Sequence, residues 1–164
     1  MSLAEKLERL ARRIPGVAGY QDKESVRETD KSVRLCLAEE IDHIRLDIEK
    51  EKKRFVDEKE YSLLPALDTL TSKLEKIANL IKFASRGYSG IFDEDKVDLS
   101  DIERLYSFDL GLFDKLEGLK LGVKIMRDAH GASAEYRQSM NQMVDTTDSL
   151  EKTFLSRQHI LFGE

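Results

Sequence analysis

The sequence predicts an all-α fold: an antiparallel four-helix bundle with one overlong helix and a short amphipathic helix at the N-terminus. Apolar residues recur at gaps of three and four over long stretches, the spacing of one helix face. Clusters of glycine and proline separate those stretches, where chains turn. Charged residues make up 36% and aromatics only 7%, a composition that suits long solvent-facing helices. At 164 residues the chain reads as one domain, 1–164, able to bury a core without staples.

The first helix, over residues 1–14, opens with Ser2 and Glu5 at capping-box spacing. Leu3, Leu7, Leu10 and Ile14 follow on one face before Pro15-Gly16 stops it. Leu3, Leu7 and Leu10 are candidate partner-binding residues. The basic side chains beside them also suit peripheral membrane contact through residues 2–14. The second helix, 22–60, contains no Gly or Pro. Its stripe is Val33, Leu37, Ile41, Ile44, Ile48 and Phe55, and its length predicts an end that projects past its neighbours. The charged run from Glu49 to Glu60 reads as a solvated face.

The third helix, 63–86, is capped by Ser62, tolerates Pro65 in its first turn, and carries Leu67, Leu70, Leu74, Ile77 and Ile81 on a bundle seam. A loop follows, in which Asp93, Asp95 and Asp98 fail the calcium-loop pattern. The fourth helix, 100–129, starts at a second capping box, Ser100 and Glu103. Its seam is Ile102, Leu105, Asp109, Leu112, Leu116, Leu119, Val123 and Met126. Beside the seam Gly111, Gly118 and Gly122 form a stripe, predicting a close backbone contact or, if exposed, a partner surface. The fifth helix, 133–160, presents Tyr136, Met140, Met143, Thr147, Leu150 and Phe154, and the chain then runs into Ile160, Leu161 and Phe162, further partner-binding candidates.

Asp109 is the one charge in its seam. A buried carboxylate needs a basic or hydroxyl partner, and Thr147 is the predicted one.

Catalytic chemistry finds no support in the motifs. The sequence lacks a phosphate-cradling GxxxxGK[ST], a GxSxG and an HExxH. Half of a dimetal signature is present as Glu40-x-x-His43, and Cys36, Glu40 and His43 share a helix face as an alternative metal or redox set. No cofactor is expected. The net charge of −5 opposes non-specific nucleic-acid binding. A lone cysteine gives no sign of an oxidising compartment, so the expected location is cytoplasmic, peripheral to a membrane at most. The expected role is that of a non-enzymatic adaptor or oligomeric scaffold, with a protein partner or a homo-oligomer.

Two further segments stand out, Arg13-Ile14-Pro15-Gly16-Val17-Ala18-Gly19-Tyr20 and Arg86-Gly87-Tyr88-Ser89-Gly90-Ile91-Phe92-Asp93, the latter followed by Asp101-Ile102-Glu103-Arg104-Leu105-Tyr106. They resemble segments of an uncharacterised prokaryotic helical family with no established activity. The resemblance implies a helical fold and transfers no catalytic residue.

Overall fold

The computed structural model describes residues 1–84 and 99–162. These form α1 (Leu3–Arg13), α2 (Lys23–Asp57), α3 (Leu64–Lys82), α4 (Leu99–Asp128) and α5 (Ala134–Phe162), with no strand among the described residues. The loop carrying Tyr88, Asp93, Asp95 and Asp98 lies outside the described residues.

Local chemistry sets most boundaries. The capping box at Ser2 and Glu5 is formed, and Asp22 with Ser25 makes a second one at the start of α2. At the end of α2, Lys59 takes a left-handed conformation (φ 58°) that turns the chain back. Two predicted caps differ. Ser62 donates to the Glu60 carboxylate instead of capping α3, whose N-cap is Leu63. Ser100 lies inside the first turn of α4, because Leu99 is already helical.

The helices pair as two antiparallel hairpins, α2 with α3 and α4 with α5. Across the hairpins α2 lies beside α4 and α3 beside α5, and α1 packs on α4. These cross pairs run in the same direction. Lys120 binds Glu40 while Arg127 approaches Asp47 further along both helices, and Lys73–Asp148 is followed in the same sense by Lys76–Glu151. Helices α2 and α5 therefore face each other across a diagonal, as do α3 and α4.

The predicted stripes form the core: Ile41, Leu67, Leu119 and Leu150 are fully buried. The predicted overhang of α2 is not found, since Val26 near one end and Phe55 near the other have no exposed surface. At the Phe55 end Tyr136 packs edge-on at 5.0 Å. At the Val26 end α3 has already stopped, its last carbonyls bound by Arg34. The space beyond it is filled by the α1–α2 loop and by the ends of α4 and α5.

Candidate functional site

The space beyond the end of α3 holds the densest group of buried ionisable side chains among the described residues. Arg157 on α5 is wholly buried, and its guanidinium serves three parts of the fold. It donates to Asp109 of α4 (Nε to Oδ1, 2.5 Å), to Asp30 of α2 (Nη1 to Oδ1, 2.6 Å) and to the Tyr20 hydroxyl (Nη2, 3.0 Å). Tyr20 in turn donates to the second Asp109 oxygen. Asp30 also accepts from Arg34 Nε at 2.8 Å, and Arg34 reaches the Lys82 carbonyl at 3.1 Å. Two acids and two bases thus balance their charge in the buried interior and tie α2, α4, α5, the end of α3 and the α1–α2 loop together.

Position in the chain explains how these groups meet. The loop needs glycine at Gly19, where φ is +84° and an added Cβ would run into the Tyr106 hydroxyl and Leu7. That tight passage presents the Tyr20 amide to the Tyr106 hydroxyl at 2.9 Å and the Gly19 carbonyl to the Thr29 hydroxyl at 3.0 Å. The Tyr20 ring is thereby held 5.0 Å from that of Tyr106, and its hydroxyl is aimed into the cluster.

Electrostatics follow from the burial. Desolvation raises the Asp109 carboxyl above the usual carboxylate range, while the charge of Arg157 and the hydrogen bond from Tyr20 pull against that rise. Burial also opposes the charge on Arg157, but Asp109, Tyr20 and Asp30 outweigh it and hold the guanidinium protonated. The Tyr20 hydroxyl is raised by burial and stays a donor. A cluster so saturated by its own members can hold helices in register; it offers no free group to a reactant.

A second polar group lies at the opposite end. Glu51 is 5% exposed, and its Oε2 sits 2.7 Å from Arg54 Nη2 as an ion pair off the hydrogen-bond direction. Among the described residues Glu51 Oε2, Arg54 Nε and the buried Tyr136 hydroxyl have no hydrogen-bond partner. Arg54 also caps the end of α4 through the Met126 and Arg127 carbonyls and lies 5.3 Å from the Phe55 ring centre.

Several sequence expectations are corrected by these contacts. Thr147, the predicted partner of Asp109, donates to the Met143 carbonyl of its own helix at 2.7 Å. Leu10, Ile160 and Leu161 are buried, and Leu3 and Leu7 are packed against the core, so none of these five is a free partner surface. The Phe162 side chain lies outside the described residues. The glycine stripe divides. Gly122 faces α5, accepting from Ser139 Oγ at 3.0 Å, and a Cβ there would stand 2.5 Å from Met143 Cγ, so the close contact at this residue is with side chains of α5 and not with the predicted backbone. Gly118, turned about 40° away along the helix, and Gly111 have open space around the Cβ position. Gly118 lies in a groove of about 360 Å³ between α4 and α5 whose walls include Leu121, Ile125 and Gln142.

The Cys36, Glu40 and His43 set does not come together as ligands. Cys36 is half-buried with its thiol pushed up by burial, Glu40 is engaged by Lys120, and His43 is exposed. Among the described residues no three His, Cys, Asp or Glu side chains converge on a metal-sized site, and no helix is long and apolar enough to cross a membrane. Comparison with protein families, curated proteins and solved structures finds no match for this chain.

The sequence reading missed Asp30, Arg34 and Arg157, and it marked Tyr20 only as part of the Arg13-to-Tyr20 segment. Its own periodicity held the signal for two of them. Continuing the seam of the last helix past Leu150 and Phe154 by three reaches Arg157, and by four more Leu161. Continuing the α2 stripe back from Leu37 and Val33 by three reaches Asp30, and by four more Val26. Opposite charges at seam positions of two helices announce a buried pair.

Proposed function

We propose that this chain is a non-enzymatic helical adaptor or oligomeric scaffold component that acts through protein–protein contact. The observation that supports the reading is the closure of the Tyr20–Asp30–Asp109–Arg157 cluster on itself. The ionisable groups most altered by burial are committed to holding the bundle, whereas a reaction needs such groups turned toward a cleft. A cytoplasmic setting is part of the proposal, resting on the single half-buried Cys36. Membrane contact through residues 2–14 would have to use the polar side of α1, since Leu3, Leu7 and Leu10 face inward.

Light scattering from micromolar to millimolar concentration, run beside affinity capture from the host, tests the proposal. Self-association or a stoichiometric captured protein supports it. A strict monomer that captures nothing overturns it.

A further inference from the structure

Helix α4 has two apolar lines. One is the interior seam. The other, Tyr106, Leu110 and Phe113, is buried beneath α1 and is flanked by the groups that α1 engages: the Glu103 carbonyl by Lys6, Asp114 by Arg9 and Glu117 by Arg13. Among the described residues the backbone of α1 comes close to no helix but α4. Most of its docking site therefore belongs to one helix, with Gly19 of the following loop against Leu7, and a second copy of the chain carries the same α4 line.

The chain between α1 and the bundle has a turn that can redirect the helix while Tyr20 stays in place. Tyr20 anchors it on one side through the buried cluster. On the other side Ile14 is extended before Pro15 (φ −129°, ψ 91°), and Gly16 reverses the chain at φ +83° with open space around it. If Gly16 becomes extended, residues 14–19 reach roughly 20 Å from the anchor. The contacts of α1 with α4, from Lys6 to the Glu103 carbonyl, Arg9 to Asp114 and Arg13 to Glu117, can then be remade on a neighbour at the cost of the hinge and the association entropy.

We propose that α1 is an exchangeable arm: residues 3–13 of one copy dock on the Tyr106–Leu110–Phe113 line of a second copy, giving a reciprocal dimer of intact bundles. The inference rests on the scaffold reading, for which it supplies the contact between copies.

Two differently sized chains in a Cys36→Ser background, one with Arg13→Cys and the other with Glu117→Cys, are co-expressed and treated with a short bismaleimide. The arm exchange predicts a covalent heterodimer and a dimer mass in light scattering. Introducing Gly16→Ala should raise the dimer fraction roughly fivefold or more, because the left-handed turn disfavours an L-residue while an extended hinge does not. A third chain carrying both Arg13→Cys and Glu117→Cys is cross-linked alone, and a dimer in which its cross-links form only within a chain overturns the exchange and leaves the scaffold reading standing. A monomer at every concentration, with Gly16→Ala included, also overturns the exchange; only the added failure to capture a partner overturns the scaffold reading as well.

Discussion

The two ends of the bundle bury polar side chains in opposite ways. Beyond the end of α3, Asp30, Arg34, Asp109 and Arg157 bring balanced charge; Arg34 meets Asp30 within α2, while the bonds of Arg157 to Asp109 and Asp30 cross between elements far apart in sequence. At the Phe55 end, the acid Glu51 meets Arg54 three residues along its own helix; Arg54 reaches the Met126 and Arg127 carbonyls of α4, and the Tyr136 hydroxyl meets no partner among the described residues. The first group is almost wholly buried, whereas the Arg54 side chain is 28% exposed. The difference teaches that a buried charge specifies a fold when its bonds join separate elements, because a bond between residues three apart in one helix places no other helix.

The strongest way to break this contrast is at Arg157. Arg157→Met leaves Asp109 without a cation and should cost about 3–5 kcal/mol in urea unfolding. The double variant Asp109→Leu/Arg157→Met should regain part of that loss, since Asp30 keeps Arg34. Losses that simply add would mean the cluster is not coupled. Next comes the pair of tyrosines: Tyr20→Phe removes bonds to both Asp109 and Arg157 and should cost about 1–3 kcal/mol, whereas Tyr136→Phe should change stability by less than about 1 kcal/mol. Equal losses would erase the distinction between the ends.

The outer side of α4 repeats the lesson on a smaller scale. Gly118→Ala should stabilise by up to about 1 kcal/mol, since its Cβ meets nothing, whereas Gly122→Ala should gain nothing because Met143 must move. Thermal melts of the two variants decide it.

The smallest effect is a slope with pH. Burial raises the Glu51 carboxyl, with the charges of Arg54 and Arg127 pulling back, so the folded value lies above the unfolded one. Glu51 therefore contributes stability fully present below the unfolded value, and it is lost as pH rises through the folded value. Relative to wild type, Glu51→Gln should gain stability over that window. An unchanged difference from acid to neutral pH would show that Glu51 is solvated.

Much of the fold was legible because a helix face is a local property. The stripes of α2, α3, α4 and α5, the Ser2–Glu5 box and the stop at Pro15-Gly16 all follow from spacing within a few residues. The candidate site was half legible. Asp109 stood out as a charge between Leu105 and Leu112, and the need for a partner followed from desolvation. Arg157 was overlooked although it continues its helix's seam, and Tyr20 had no periodic signal because it sits in a loop.

What the sequence determined by itself was the all-α class, the number of helices and the face each one buries, since these depend on interactions that reach no further than one or two turns. Only the tertiary structure decided that α2 lies beside α4, that α1's leucines and the terminal Ile160 and Leu161 belong to the core, and that Gly118 faces outward while Gly122 does not. It also chose Arg157 over Thr147 for Asp109. These are questions of which surfaces meet, and a seam of apolar residues carries almost no information about its partner. That information resides in the few charged seam positions and in the length at which α3 ends, and it takes effect only when the helices are brought side by side.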